Sequence, residues 1–280
     1  MTYQLPLSQL LKATSRGLSM TEYQVGIIGT GFGAKVQAPA MAADDNYHVA
    51  MIAGTKPDKT EATATSLDIE KFTTNWKDLL DAELDLIVVT TPPYLHFPIA
   101  KAILEADINL LLEKPTTSTA YEAKQLYRLA EDRNLVALMS HEFRWLPERA
   151  YLHDLIQSGE IGHVREIYLS RFMNFGAATE VKQFGWFWDS LYDGGIIGAL
   201  GSHLIDWMRY ITADEFSSVQ GGIQTLVKHK TDEQGVKHRV SADTGFNFNF
   251  EMESGTFGNL TATSTIHHRQ SGRLLYRRRL

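Results

Sequence analysis

A glycine-rich stretch directly behind a short apolar run constrains this chain most. Val25, Ile27 and Ile28 lead into GTGFGA at residues 29–34. Gly29 permits a tight turn, Gly31 lets a ligand approach bare main chain, and Ala34 is small enough for close packing of helix on strand. Gly29-x-Gly31-x-x-Ala34 between a strand and a helix is the spacing of a dinucleotide-binding turn. There the free amides at the helix start and the helix dipole take the charge of a diphosphate. The same spacing also occurs in plain turns. Its setting favours the phosphate cradle, with Gly29, Gly31, Phe32, Gly33 and Ala34 as the cofactor-contacting residues.

The chain beyond the turn repeats the same alternation. Apolar runs at residues 23–29, 47–54, 84–91, 108–114 and 135–141 are separated by amphipathic segments, including 97–106 and 119–133. Continuous apolar strands alternating with helices predict a doubly wound parallel sheet covered on both faces. After about residue 145 the texture changes. A helix over 146–158 precedes segments of period-two alternation, clearest in GFNFNFEM at 245–252, where Phe246, Phe248, Phe250 and Met252 point one way. Strands are also expected at 163–172 and 217–230, and after the ESG turn at 253–255. The expected fold class is α/β: an N-terminal doubly wound (Rossmann) domain over residues 21–141, and a C-terminal α+β domain with a mostly antiparallel open sheet over 142–280.

Composition narrows the partners. The 280 residues are 44% apolar and carry a net charge of −6, which argues against nucleic acid, whose binding faces need clustered cations. Zero cysteines exclude disulfides and thiolate chemistry and fit a cytoplasmic setting. No apolar run approaches the roughly 18 residues that span a bilayer, so no membrane partner is expected. Residues 1–20 carry Lys12 and Arg16 and no acid. Two readings stand for them: a targeting segment, or an extension before a domain that opens at Met20.

The second strand bears on which dinucleotide binds. An acid about 20 residues past the glycine turn usually holds the ribose 2′-hydroxyl of NAD. This chain has Gly54, Thr55 and Lys56 there, and no acid before Asp58. A hydroxyl and an ammonium suit a 2′-phosphate, so Thr55 and Lys56 point to NADP. The alternative is NAD, with Lys56 solvated and Asp58 on the ribose.

Three further motifs carry a resemblance. They are TTPPYLHFPIAKAIL (90–104), LLLEKP (110–115) and GGIIGALGSHLIDWMRY (194–210). With the glycine turn, they resemble the Gfo/Idh/MocA family of glucose–fructose oxidoreductases, inositol dehydrogenases and rhizopine-catabolism proteins. The resemblance implies an NAD(P)-dependent dehydrogenase moving a hydride between nicotinamide and a sugar or polyol carbon. It implies Lys114 and His203 as the catalytic residues, with Thr91, Pro92, His96 and Glu113 on the cofactor side. Members of this family usually continue with more strands than follow GNLTATSTIHHRQSG, so a chain shortened near residue 272 is the expectation.

The residues themselves leave alternatives open. Lys114 is otherwise a strand-end surface lysine and His203 a structural histidine. Asp206, one turn from His203, either orients its imidazole or is a solvated helix acid. Arg144 serves substrate or an ion pair; the aromatic run 184–195, Trp186 included, serves substrate or core. No metal site is expected, because the adjacent His267 and His268 face opposite sides of a strand. Many family members place Asp where this chain has Ala199, so the missing acid is expected from elsewhere, such as Asp189 or Asp193. That departure supports an alternative function, a cofactor-binding protein without turnover; another hydride-transfer class, of the biliverdin-reductase kind, is a third. A homo-oligomer through the C-terminal sheet is the expected assembly.

Overall fold

The computed structural model describes residues 22–174 and 183–266, and the backbone alone of 273–276. The expected extension at 1–20 and the His267–His268 pair lie outside the described residues. The chain divides into two compact units between Leu86 and Ile87.

The first unit holds β1 (Tyr23–Ile28), a π-helical turn (Gly33–Gln37) running into α1 (Ala38–Ala42), β2 (Tyr47–Ala53), α2 (Pro57–Ser66) and β3 (Lys71–Thr73). β2 pairs in parallel with both β1 and β3. Val25, Ile27, Ile28, Ile52 and Ala53 are buried, as the unbroken apolar runs require of strands covered on both faces. Gly29 has φ +126° and donates its N–H to Ala53 O at 2.9 Å, so the turn is fastened to the end of β2. Only glycine takes that angle without strain. The expected helix starts as a π turn, with the Ala38 N–H reaching back to Gly33 O. Pro39 has no N–H to continue a regular ladder, which leaves the wider turn in place.

The second unit begins in β4 (Leu86–Val89) and continues through α3 (His96–Glu105), β5 (Asn109–Glu113), α4 (Ala120–Asp132) and β6 (Ala137–Ser140). The six parallel-sheet strands follow the order β3-β2-β1-β4-β5-β6. β5 and β6 run parallel, with Glu113 opposite Ser140. Thr119 and Glu122 close a capping box at the start of α4, which fixes where the chain leaves the β5 loop. β3 was absent from the apolar runs, because three residues, KFT, are too few to show a period.

After α5 (Pro147–Gln157) come β7 (Glu166–Phe172), a second π turn (Ile197–Gly201), α6 (Ser202–Thr212), β8 (Phe216–Gln224), β9 (His229–Thr231), β10 (Lys237–Arg239), β11 (Gly245–Met252), β12 (Phe257–Thr263) and β13 (Arg273–Tyr276). Five form a sheet in the order β13-β7-β12-β11-β8. Its pairs are antiparallel except β7 with β12. The alternation in β11 is real: Phe246, Phe250 and Met252 are buried while Asn247, Asn249 and Glu251 are exposed. The strand expected over 217–230 is broken instead. Thr225 Oγ1 donates to Ala242 O, and Leu226 N–H donates to Thr244 Oγ1, so side-chain bonds replace the ladder there.

Helix α6 lays Leu204, Trp207, Met208 and Ile211 on Ile167, Leu169, Phe246, Phe250 and Leu260 of the sheet. Each such side chain contributes about 1.5–3 kcal/mol by leaving water, which makes α6 a rigid mount. The π turn before it is fixed by the buried Asp243, whose Oδ2 accepts the N–H groups of Ile196 and Ile197, both at 3.0 Å. Gly195 lies beside that carboxylate with φ +117°, and a Cβ there would stand 2.1 Å from Asp243 Oδ1. We therefore expect Gly195→Ala to destabilise the protein by about 2 kcal/mol or more, through strain and a displaced cap. Thermal unfolding of the two proteins checks this.

Candidate active site

Strand β5 ends in Glu113, which is buried, and Lys114, which is half-buried and precedes Pro115. Lys114 Nζ donates to the carbonyl oxygen of Ala199 at 2.9 Å. Burial holds the ammonium's pKa below the usual lysine value, against the opposing pull of Glu113 and Glu142. Ala199 lies in the π turn that feeds α6, so one contact joins a strand end to the start of the helix bearing His203. π turns recur at functional sites because they re-aim main-chain groups.

His203 is almost wholly buried. Its ring stacks on Phe143 with centroids 4.0 Å apart, and meets His141 edge-on at 5.6 Å. Arg149 lies over the Phe143 ring at 4.5 Å and over Trp207 at 4.6 Å, making layers of cation, benzene ring and imidazole. Burial foremost, then the charges of Lys114, His141 and Arg149, push the imidazole pKa down to about 3. The ring is therefore neutral at physiological pH. Its Nε2 stands 3.5 Å from Glu142 Oε1. His203 Nδ1 and Glu142 Oε2 are both buried with no hydrogen-bond partner among the described residues.

The structure redistributes the other expected residues. Asp206, read as a substrate-side residue that either orients His203 or is a solvated helix acid, is held by Arg144 through two bonds, Nε to Oδ2 at 2.7 Å and Nη2 to Oδ1 at 2.6 Å. A guanidinium fork matches a carboxylate better than an imidazole does, so the partner 62 residues away wins over the neighbour one turn away. Arg144 is thereby committed to an ion pair. His141 Nε2 lies 3.9 Å from the same carboxylate. Asp189 caps its own turn, accepting Leu191 N–H and Ser241 Oγ–H. Asp193 accepts from the Ser118 hydroxyl. Neither stands in for an acid at position 199.

Glu142, absent from the sequence expectations, is the acid beside His203. A signal for it existed: HEFR begins one residue past the carboxyl end of β6, where doubly wound sheets place ligand-facing groups. Burial raises the Glu142 carboxyl above the ordinary range, and nearby Glu113 adds to this while Lys114 opposes it.

On the β4 side, Thr91 Oγ1 is buried and unpartnered among the described residues. Such an orphan suits a polar ligand group. Pro92 is half-buried. His96 is fully buried, with Nδ1 2.8 Å from Pro115 O and Nε2 2.9 Å from Thr91 O, so it braces the two loops and presents no surface to a ligand. Trp186 is exposed at the head of a 3₁₀ turn (Trp186–Trp188).

In the first unit, Gly31 has open space where a side chain would stand, while Gly33 and Ala34 are buried and Phe32 is exposed. That bare main chain fits a close diphosphate. Thr55, Lys56 and Asp58 are all exposed at the start of α2. Lys56 O accepts from Thr60 N at 2.9 Å and Thr60 Oγ1 at 2.7 Å, fixing the loop and leaving both side chains outward. Among the described residues no group of three or more His, Asp or Glu is arranged to hold a metal ion.

The chain belongs to the GFO/IDH/MocA oxidoreductase family: the NAD-binding Rossmann-fold model matches residues 23–141 and the C-terminal domain model residues 150–277. It is similar to an uncharacterised oxidoreductase of Synechocystis, 30% identical over 188 residues, covering 67% of this chain and 50% of that one. It is 26% identical to levoglucosan dehydrogenase of Pseudarthrobacter phenanthrenivorans, covering 90% of this chain and 70% of that one. A solved levoglucosan dehydrogenase in complex with NADH and L-sorbose superposes with a TM-score of 0.84 at 25% identity, over 90% of this chain and 71% of that one. The chain thus spans between half and about 70% of these relatives.

Two outcomes follow from the charges. The folded protein resists a proton on His203 that the unfolded chain takes up below its ordinary value of 6.5, so acidification from there towards about 3 removes stability. The His203 ring signals in NMR are expected not to titrate between pH 5 and 8. Arg144→Met strands the Asp206 carboxylate and is expected to cost roughly 2 kcal/mol in chemical denaturation, below the about 3–5 of a fully buried pair because Arg144 is partly exposed.

Proposed function

We propose that the protein is a dehydrogenase transferring a hydride between a nicotinamide dinucleotide, NADP in preference to NAD, and a carbinol carbon of a sugar or polyol. The observation that carries this reading is Lys114: a partly desolvated ammonium, one N–H on Ala199 O at 2.9 Å, beside the neutral His203. An ammonium has three donors, so two remain for the reacting oxygen. Donors of this kind stabilise the alkoxide character that develops as a carbinol is oxidised. When bound, the nicotinamide supplies the hydride acceptor or donor. The Gly29–Ala34 turn takes the diphosphate, and Thr91 Oγ1, with Pro92 and Glu113 nearby in the motifs, lies on the cofactor side. Trp186 offers an aromatic face to a sugar ring.

Sugar chemistry is also what the relatives' titles describe. Levoglucosan dehydrogenase is solved with NADH and levoglucosan as well as with L-sorbose. Residues 21–141 act as the dinucleotide-binding domain and 142–280 as the substrate domain in this reading. The exposed Val219 and Ile223 of β8 and Phe257 of β12 support a homo-oligomer through the C-terminal sheet. Zero cysteines accord with a cytoplasmic setting.

The second reading, cofactor binding without turnover, draws on Ala199, which supplies a carbonyl and no titratable group. A panel of sugars and polyols assayed with NADP and NAD separates the two: turnover supports the dehydrogenase, and binding without turnover supports the second. Lys56→Glu is expected to weaken NADPH binding by about tenfold or more, because a carboxylate repels the 2′-phosphate, and to leave NADH binding equal or tighter. Calorimetry with both reduced cofactors checks it.

A further inference from the structure

We propose that Glu142 is the proton-accepting residue of this site: its carboxylate, 3.5 Å from the His203 imidazole and with one oxygen buried and unpartnered, takes the hydroxyl proton of the alcohol being oxidised. The inference rests on the dehydrogenase reading and assigns a step within it.

Each other group in the cluster is spent or unsuited. Lys114 is an ammonium on a carbonyl, and Ala199 O, its acceptor, holds no proton. His203, whose imidazole becomes protonated only near pH 3, is too weak a base to keep a proton at neutral pH. Asp206 is bound on both oxygens by Arg144. His141 also has a buried, unpartnered nitrogen, Nδ1, but its Nε2 lies 3.9 Å from Asp206, and burial foremost lowers its proton affinity where burial raises that of Glu142. Asp189 accepts Leu191 N–H and the Ser241 hydroxyl, and Asp193 accepts the Ser118 hydroxyl. Glu142 alone combines contact with His203 and an oxygen that nothing among the described residues bonds.

The charged and titratable groups facing Glu142 are Glu113 and Lys114 from the end of β5, His203 from α6 and His141 from its own segment, with Arg149 of α5 behind Phe143. Burial and Glu113 raise its proton affinity and Lys114 opposes them, which brings a carboxylate towards the pH at which a general base works well. Oε1 faces His203 Nε2 at 3.5 Å, which leaves Oε2 for the substrate hydroxyl.

The step balances. In oxidation the carbinol C–H bond breaks with its electron pair going to the oxidised nicotinamide. The O–H bond breaks with its proton going to Glu142, and the electron pair it leaves forms the carbonyl double bond. Reduction is the reverse, with Glu142 as the acid. Oxidation therefore requires ionised Glu142 and rises with pH through its pKa; reduction falls.

The test uses the full chain. Glu142→Gln keeps an oxygen to face His203 and abolishes the base. It is expected to lower kcat for polyol oxidation by about 10²–10⁴-fold, to remove the acidic limb of the pH profile, and to hold the NADPH dissociation constant within about threefold. Glu142→Asp is expected to recover part of kcat and a titrating limb, which a merely structural glutamate would not require. In parallel, ¹³C-carboxyl NMR of the wild type should show one glutamate titrating clearly above the ordinary value near 4.3, assigned by its absence from the Gln or Asp variant. Retention of kcat within about threefold in Glu142→Gln, or a Glu142 titration in the ordinary range, overturns the proposal. Wild type with no turnover on any sugar or polyol sinks the dehydrogenase reading instead. The titration then decides Glu142 by itself: a raised value keeps it as the proton-holding group, and an ordinary one removes it.

Discussion

The hydrogen bond from Lys114 Nζ to Ala199 O is the contact on which the site depends. It joins two pieces of chain 85 residues apart, the end of a buried parallel strand and the π turn that opens α6. Either piece alone is ordinary. Strand β5 delivers a lysine because Leu110 and Leu112 are buried and the next loop begins at Pro115. The π turn delivers a carbonyl because Asp243 holds its leading amides and α6 is anchored on the sheet by four buried side chains. Together they hold a cation in a half-buried place with donors to spare.

Around that cation the charges are sorted by geometry rather than by number. Arg144 and Asp206 cancel one another through a two-bond fork, and Arg149 is absorbed by the Phe143 and Trp207 rings. His203, pressed against Phe143, is kept neutral by burial and by the cations around it. Among the described residues of the cluster, His203 Nδ1, Glu142 Oε2, His141 Nδ1, Arg149 Nη1 and Trp207 Nε1 are buried without a hydrogen-bond partner, and Glu142 Oε2 is the one that is a carboxylate oxygen. Buried polar atoms without partners are costly, and their concentration beside a desolvated lysine marks where an incoming polar molecule is rewarded.

Much of the fold was legible in the sequence because its periods are simple. Unbroken apolar runs gave the parallel strands, and Phe246 to Met252 gave a one-sided sheet. The motif residues Lys114 and His203 were legible too, and the structure brings both onto elements of one unit. Hydrogen-bond register was not legible. Nothing in GAKVQ or IGALG announces a π turn, and no sequence shows that a lysine will seek the main-chain oxygen of Ala199. For Asp206, spacing offers only a local partner, His203, or solvent; Arg144 lies too far along the chain to be read as its partner. Glu142 was passed over for the arginine two residues later. His96 shows the opposite error of emphasis, since a histidine in a ligand-rich motif proves to be a wholly buried brace between Thr91 and Pro115.

The family models give the class to which the chain belongs; in this chain the acid beside His203 is Glu142, and position 199 contributes a main-chain carbonyl. The central claim is that the Lys114 ammonium handles the reacting oxygen. It is tested most directly by measuring sugar or polyol oxidation by Lys114→Met beside the wild type, with cofactor affinity measured on the same samples. The account predicts a fall in kcat of about 10²–10⁴-fold with the cofactor dissociation constant nearly unchanged. Turnover by Lys114→Met at the wild-type rate would contradict it.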